Sequence, residues 1–190
     1  MYRCGSILLV ALLLISSTLG ATSLRPIDLE TLTRLADQIF EGEVTEVHAG
    51  QDENGLPVVW VTVKVTHGIK NTRAGSLVNF KQFNGTVAGL PRYQPGEQVV
   101  LFLAAPSRQG LSAPVGLGIG KFAHRPGGRE PEFVNAFENR GLWDADLRAR
   151  LGPRLKTVEQ QALGRAPGPL PRSLFISLVE KVMELDREGR

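Results

Sequence analysis

The stretch PVVWVTVKVTH, residues 57–67, decides the fold class. Val59, Val61, Val63 and Val65 fall on one side of an extended chain, and Trp60, Thr62, Lys64 and Thr66 on the other. Side chains of a strand alternate with a period of two, so this pattern buries a valine face and leaves a polar one. The branched side chains also favour extended backbone. Immediately upstream, Phe40, Gly42 and Val44 alternate with Glu41, Glu43 and Thr45, until the phase slips and Val47 rather than Glu46 is apolar. One extra residue in a strand swaps its faces, so the slip predicts a β-bulge. The polar loop AGQDENGL, residues 49–56, carries an Asn54-Gly55 turn signal and joins the two segments into a long hairpin.

Further strands are expected over 77–83, 98–105, 118–124 and 132–136, the last two separated by Arg125-Pro126-Gly127-Gly128. The run QVVLFLAA, residues 98–105, is apolar almost throughout, as in a central strand covered on both faces. Before the hairpin, Leu29, Leu32, Leu35, Ala36 and Ile39 recur at helical spacing, with Asp28 placed to cap a helix over Leu24 to Asp37. After the strands the pattern turns helical over 142–150, 154–163 and 173–188, with GRAPGPLPR, residues 164–172, reading as a stiff linker. The expected class is mainly β (α+β): a small antiparallel β-barrel of five to six strands over 24–142, an N-terminal helix, and a helical tail over 143–190.

The amino terminus predicts export. Arg3 precedes the apolar run ILLVALLLI, residues 7–15, and small residues follow at Ser16, Ser17, Thr18, Gly20 and Ala21. A spanning helix needs about twenty apolar residues, so this run reads as a cleavable signal over 1–21 and predicts a periplasmic or secreted protein with no transmembrane segment after cleavage. Cys4, the only cysteine, lies before the run, so the mature chain has neither a disulfide nor a thiolate. Charge is balanced over residues 21–142, with twelve basic and twelve acidic side chains, which argues against the basic stripe of a nucleic-acid binder.

The segments ADQIFEGEVTEV (36–47), VVWVTVKVTHGIK (58–70), YQPGEQVVLFL (93–103) and VGLGIGKF (115–122) together resemble a group of exported bacterial proteins of uncharacterised function. The resemblance implies a small closed barrel of the oligonucleotide/oligosaccharide-binding (OB-like) type, as in netrin-like modules, and an exported location. It carries no catalytic residues. Netrin-like inhibitors depend on cysteines that the mature chain lacks, which argues against protease inhibition by their mechanism.

Motifs for chemistry fail one by one. His48 and His67 end different strands of the hairpin, on the order of 30 Å apart at strand rise, and no His-x-His or His-x-x-x-His pair exists, so no metal site is expected. After Asp52-Glu53-Asn54-Gly55 no acid follows until Glu97, so a calcium loop cannot close. Gly116, Gly118, Gly120 and Lys121 lack the spacing and the hydroxyl of a phosphate loop, and fit a tight bend better. Ser112 lacks the second glycine of a nucleophile elbow. Glu41 and Glu43 share a strand face and could act as an acid–base pair, although charged residues on a solvated face are the commoner arrangement. No cofactor and no catalytic residue is expected.

The candidate binding element is the last helix. Phe175, Leu178, Val179, Val182, Met183 and Leu185 lie on its apolar side, which either covers the barrel or meets an envelope or extracellular protein. Arg148, Arg150, Arg154, Lys156, Arg165 and Arg172 precede or open it and could face an anionic surface. The expected function is a noncatalytic exported binding module for a protein or envelope component. The alternatives are an accessory or chaperone-like partner of an exported enzyme, and a hydrolase with an unrecognised site, for which Glu41, Glu43 and a loop are the candidates.

Overall fold

The computed structural model describes residues 27–126, 129–165 and 167–188. The signal segment expected over 1–21 lies outside them. The chain is mainly β. Helix α1 (Leu29–Leu35) leads into strands β1 (Gln38–Gln51), β2 (Pro57–Lys70), β3 (Leu77–Phe83), β4 (Gln98–Leu103), β5 (Lys121–Arg125) and β6 (Glu132–Asn135). Helices α2 (Ala145–Leu151) and α3 (Thr157–Arg165), the two-residue strand β7 (Leu170–Pro171) and helix α4 (Arg172–Glu188) complete it. All strand pairs are antiparallel, in the order β3-β2-β1-β4-β5-β6-β7.

The hairpin forms as its alternation requires. Val59, Val61, Val63 and Val65 are buried, and β1 slips register between Val44 and Glu46, where the phase change predicts a bulge. Two further slips, between Ile39 and Phe40 and between Glu41 and Gly42, add to the twist of β1. At Gly42 an added Cβ would lie 2.6 Å from the Lys64 carbonyl oxygen, so the two strands approach more closely than any side chain would permit. The strand ladders run as one sheet and do not close into a barrel. Seven strands pair in one open sheet, and the seventh arises within the segment read as a linker.

Strands β1 and β4 are central and have cores on both faces. Phe40, Val44, Val99, Leu101 and Leu103 join the valines of β2 in one core. Ile39, Val100 and Phe102 belong to the other, with Phe122 and Phe133 and with residues of all four helices. Asp28 caps α1 by accepting from the Thr31 N–H at 2.6 Å. At the other end of α1, the Lys70 ammonium donates to the carbonyls of Thr33 and Ala36.

The region expected to begin a strand at residue 118 is instead a turn. Gly116 and Leu117 have φ of +63° and +58°, a 3-10 turn spans Leu117–Ile119, and β5 starts only at Lys121. A Cβ on Gly120 would sit 2.4 Å from the Val115 carbonyl oxygen, which gives the glycine run a packing reason. Lys121 is fully engaged by the Glu97 carboxylate at 2.6 Å, the Arg92 carbonyl and the Tyr93 ring.

The expected tail and linker are built into the domain. The backbone N–H groups of Asn135 and Asn139 each donate to the other's side-chain oxygen at 2.9 Å, and the Asn139 amide donates to the carbonyls of Phe133 and Gly168. That cross-link holds the 167–169 segment against β6, where Leu170 pairs with Phe133. Helix α3 is tied to α4 through Glu159. This buried carboxylate accepts from the Lys156 N–H at 2.6 Å, the Ser177 hydroxyl at 2.8 Å and the Lys181 ammonium at 2.5 Å. Burial opposes ionisation, but these donors outweigh it and hold the carboxyl down at about 2, below an ordinary 4.5. A depressed folded-state value stabilises the protein above pH 4.5, and that contribution is lost as pH falls from about 4.5 towards 2. Glu159→Gln is expected to cost roughly 2–3 kcal/mol at neutral pH. In urea titrations the difference between wild type and variant should shrink below pH 4; a constant difference down to pH 2.5 would contradict this.

Candidate binding cleft

The sequence-nominated binding residues do not form a site. Phe175, Leu178, Val179 and Val182 are fully buried, Met183 is nearly so, and Leu185 packs against the same core. The apolar side of α4 is therefore covered by its own domain, which corrects the expected partner-binding face. The broad apolar side left two destinations open on the sequence, and tertiary packing takes the first. The basic cluster is similarly committed in part: Arg150 pairs with Glu30 and Asp146, Arg154 with Glu188, and Arg172 with Glu41.

Glu41 and Glu43 do not work as a pair on a wet face. Glu41 is buried and accepts two hydrogen bonds from Arg172, at 2.7 and 2.6 Å, whereas Glu43 accepts from the Gln98 amide at 3.1 Å. His48 stands opposite Trp60 and His67 opposite Glu41 along the hairpin, so they mark different stretches of it. His124 packs edge-on against Phe133. Among the described residues no three His, Cys, Asp or Glu side chains are grouped to hold a metal ion, and no helix is long and apolar enough to cross a membrane.

A cleft of about 490 Å³ opens elsewhere, between the outer part of β3, the start of β1 and the chain leaving β4. Its polar lining includes Asp37, Gln38, Thr62, Asn79 and Lys81, beside the indole of Trp60; Leu103, Ala104 and Pro106 supply apolar wall. Trp60 is half-buried on the otherwise polar side of β2. Its ring is held by His48, with centroids 5.7 Å apart, and by Gly50, where an added Cβ would come within 3.1 Å of the indole.

Lys81 is anchored from outside the cleft. Its ammonium lies 3.0 Å from Asp52, which also accepts from the N–H groups of Asn54 and Leu56 and so shapes the hairpin turn. Asp52 is buried, which opposes its ionisation, yet the Lys81 ammonium and the two N–H groups hold it below the usual carboxylate range. The bond to Asp52 in turn raises Lys81. Ser112, set aside as a nucleophile on sequence grounds, donates its hydroxyl to the Ala104 carbonyl at 2.6 Å, and its N–H to the Lys81 carbonyl at 2.8 Å. Both bonds fix the rim. No family model matches the sequence, and no curated protein matches it.

Asp37, Gln38, Thr62 and Asn79 differ from Lys81 and Ser112: their side chains make no hydrogen bond to any described residue. Four polar side chains with unused capacity thus converge beside an aromatic ring, in a cavity of the size that commonly holds a ligand. Sequence reasoning did not nominate this site. One signal was present, namely Trp60 on a strand face otherwise made of Thr and Lys. The other residues come from three distant stretches and share no spacing.

Proposed function

We propose that the chain is an exported, noncatalytic binding module that holds a protein or an envelope component in the cleft beside Trp60. Export rests on the Arg3 and 7–15 pattern, and the resemblance to exported OB-like proteins agrees with it. An OB-like arrangement is also supported by the bulged hairpin and by two isolated bridges, Lys81 to Leu111 and Leu103 to Pro114, that link β3 and β4 through one loop. The observation that carries the binding reading is the convergence of Asp37, Gln38, Thr62 and Asn79 with unused hydrogen-bonding groups around an indole.

The test is capture from the envelope and medium of the producing cell, by wild type and by Trp60→Ala. The variant loses only a partly exposed ring, so its thermal transition is expected to stay within a few degrees of wild type. Retention of the specific partner should fall at least tenfold. Equal capture by the variant would remove the cleft as the site. Hydrolytic turnover that Glu43→Gln abolishes in a folded protein would replace the noncatalytic reading with the hydrolase alternative.

A further inference from the structure

We infer that the occupant of the cleft is an extended polypeptide segment that adds as a strand to the outer edge of β3, at Leu77 and Asn79, with a basic side chain directed to Asp37. This rests on the binding-module reading and specifies its ligand class.

The ladder between β2 and β3 fixes which backbone groups point outward. Val58 pairs with Phe83, Val61 with Phe80 and Lys64 with Leu77. In the same register, the Asn84 N–H donates to the Pro57 carbonyl and the Val65 N–H to the Ser76 carbonyl, both at 2.9 Å. Hydrogen-bonded and non-hydrogen-bonded pairs alternate along an antiparallel ladder. Val78, Phe80 and Gln82 therefore turn their backbone groups to β2, and Leu77, Asn79 and Lys81 turn theirs away from it. The Lys81 carbonyl agrees, because it accepts from Ser112 on the side away from β2. Here the chain already uses its own β3 edge as a template, through one parallel bridge between Lys81 and Leu111. The N–H and C=O groups of Leu77 and Asn79 have no such partner among the described residues.

This edge is continuous with the cleft, which Asn79, Phe80 and Lys81 help to line. An edge is ordinarily guarded by charge, proline or a bulge. The outward-turned positions Leu77 and Asn79 carry none of these, and the Leu77 side chain is 61% exposed. From Leu77 to Asn79 the free edge runs about 7 Å, room for a strand of roughly three residues before the bridge from Lys81 to Leu111 takes over. Main-chain hydrogen bonds would supply its affinity, and the cleft would sort the side chains that point into it. The charge of the cleft favours a cation: Lys81 is neutralised by Asp52, whereas Asp37 has no ion-pair partner among the described residues.

The test uses heptapeptides selected on the purified protein from a displayed random library and then synthesised. Binders enriched in Lys or Arg are expected, and Asp37→Asn should weaken them several-fold. Asn79→Pro removes the outward N–H without touching the ladder to β2, a position where edge strands accept proline. It should reduce peptide affinity at least tenfold. Independently, the Leu77 and Asn79 amides should exchange quickly in the free protein and become protected when peptide is bound, a readout that stands even if Asn79→Pro fails to fold. A library that yields no binder overturns the inference, as do peptides that bind Asn79→Pro equally and leave both amides unprotected. An envelope ligand lost by Trp60→Ala but kept by Asn79→Pro would leave the cleft as the site and remove strand addition.

Discussion

A chain shortened to end at Gly164 is expected not to fold. The deletion removes β7 and α4, and with α4 the side chains of Phe175, Leu178, Val179 and Val182, all fully buried. Each such loss costs about 2–5 kcal/mol as a truncation to Ala, so together they match or exceed the roughly 5–15 kcal/mol that stabilises an ordinary domain. It also exposes the faces of Phe122 and Phe133, whose rings lie 4.6 and 6.0 Å from that of Phe175. Phe175→Ala alone should lower stability by about 3–5 kcal/mol, because neighbouring aromatic rings on two strands cannot collapse into the space. Denaturant titration with near-ultraviolet circular dichroism checks both. A truncated chain with a cooperative transition at the wild-type midpoint would show that the helix is an appendage after all.

Arg172→Met should destabilise the protein by about 2–3 kcal/mol, and adding Glu41→Gln should restore much of the loss. Glu41 is 7% exposed and its two carboxylate oxygens are matched by Arg172, 131 residues later in the chain. Removing the guanidinium leaves a buried charge without compensation, and that is the costly half of breaking such a pair. The expected loss stays below that of a fully enclosed pair, because the Arg172 side chain is 39% exposed and water screens it. Replacing both partners removes the stranded charge, so the double variant should be more stable than Arg172→Met. The four denaturation midpoints of this cycle give the coupling directly. If Arg172→Met alone changes stability by less than about 0.5 kcal/mol, the pair does not fasten α4 to the sheet.

These two results bear on the site as well as on stability. Arg172 opens α4 beside β7, so the pair clamps the last helix across β1, the strand that begins at the cleft with Gln38. With α4 packed, its apolar side is covered among the described residues, and the β3 edge and the Trp60 cleft are the surfaces left to bind.

Much of the fold was legible because its signals are local. Alternation from Val59 to Val65 needs only the period of an extended chain, and the displaced Val47 marks the extra residue in β1. The Asp28 cap and the Asn54-Gly55 turn are similarly decided within four residues. The turn at Leu117–Ile119 misled because glycine and branched residues there fit a strand as well, and only the approach of Val115 to Gly120 selects the tighter path. Strand β7 was hidden because a Pro-rich segment reads as linker until Asn139 and β6 offer it partners.

By itself the sequence determined a mainly β chain, most of its strands, its capped first helix and the amphipathic character of its last one, since each depends on side-chain period or backbone preference within a few residues. Tertiary structure alone decided that the sheet stays open, that the apolar side of α4 faces inward, that Glu41 meets Arg172, and that Asp37, Trp60 and Asn79 border one cleft. Those outcomes depend on which distant surfaces exclude water from one another, and no local pattern encodes that choice.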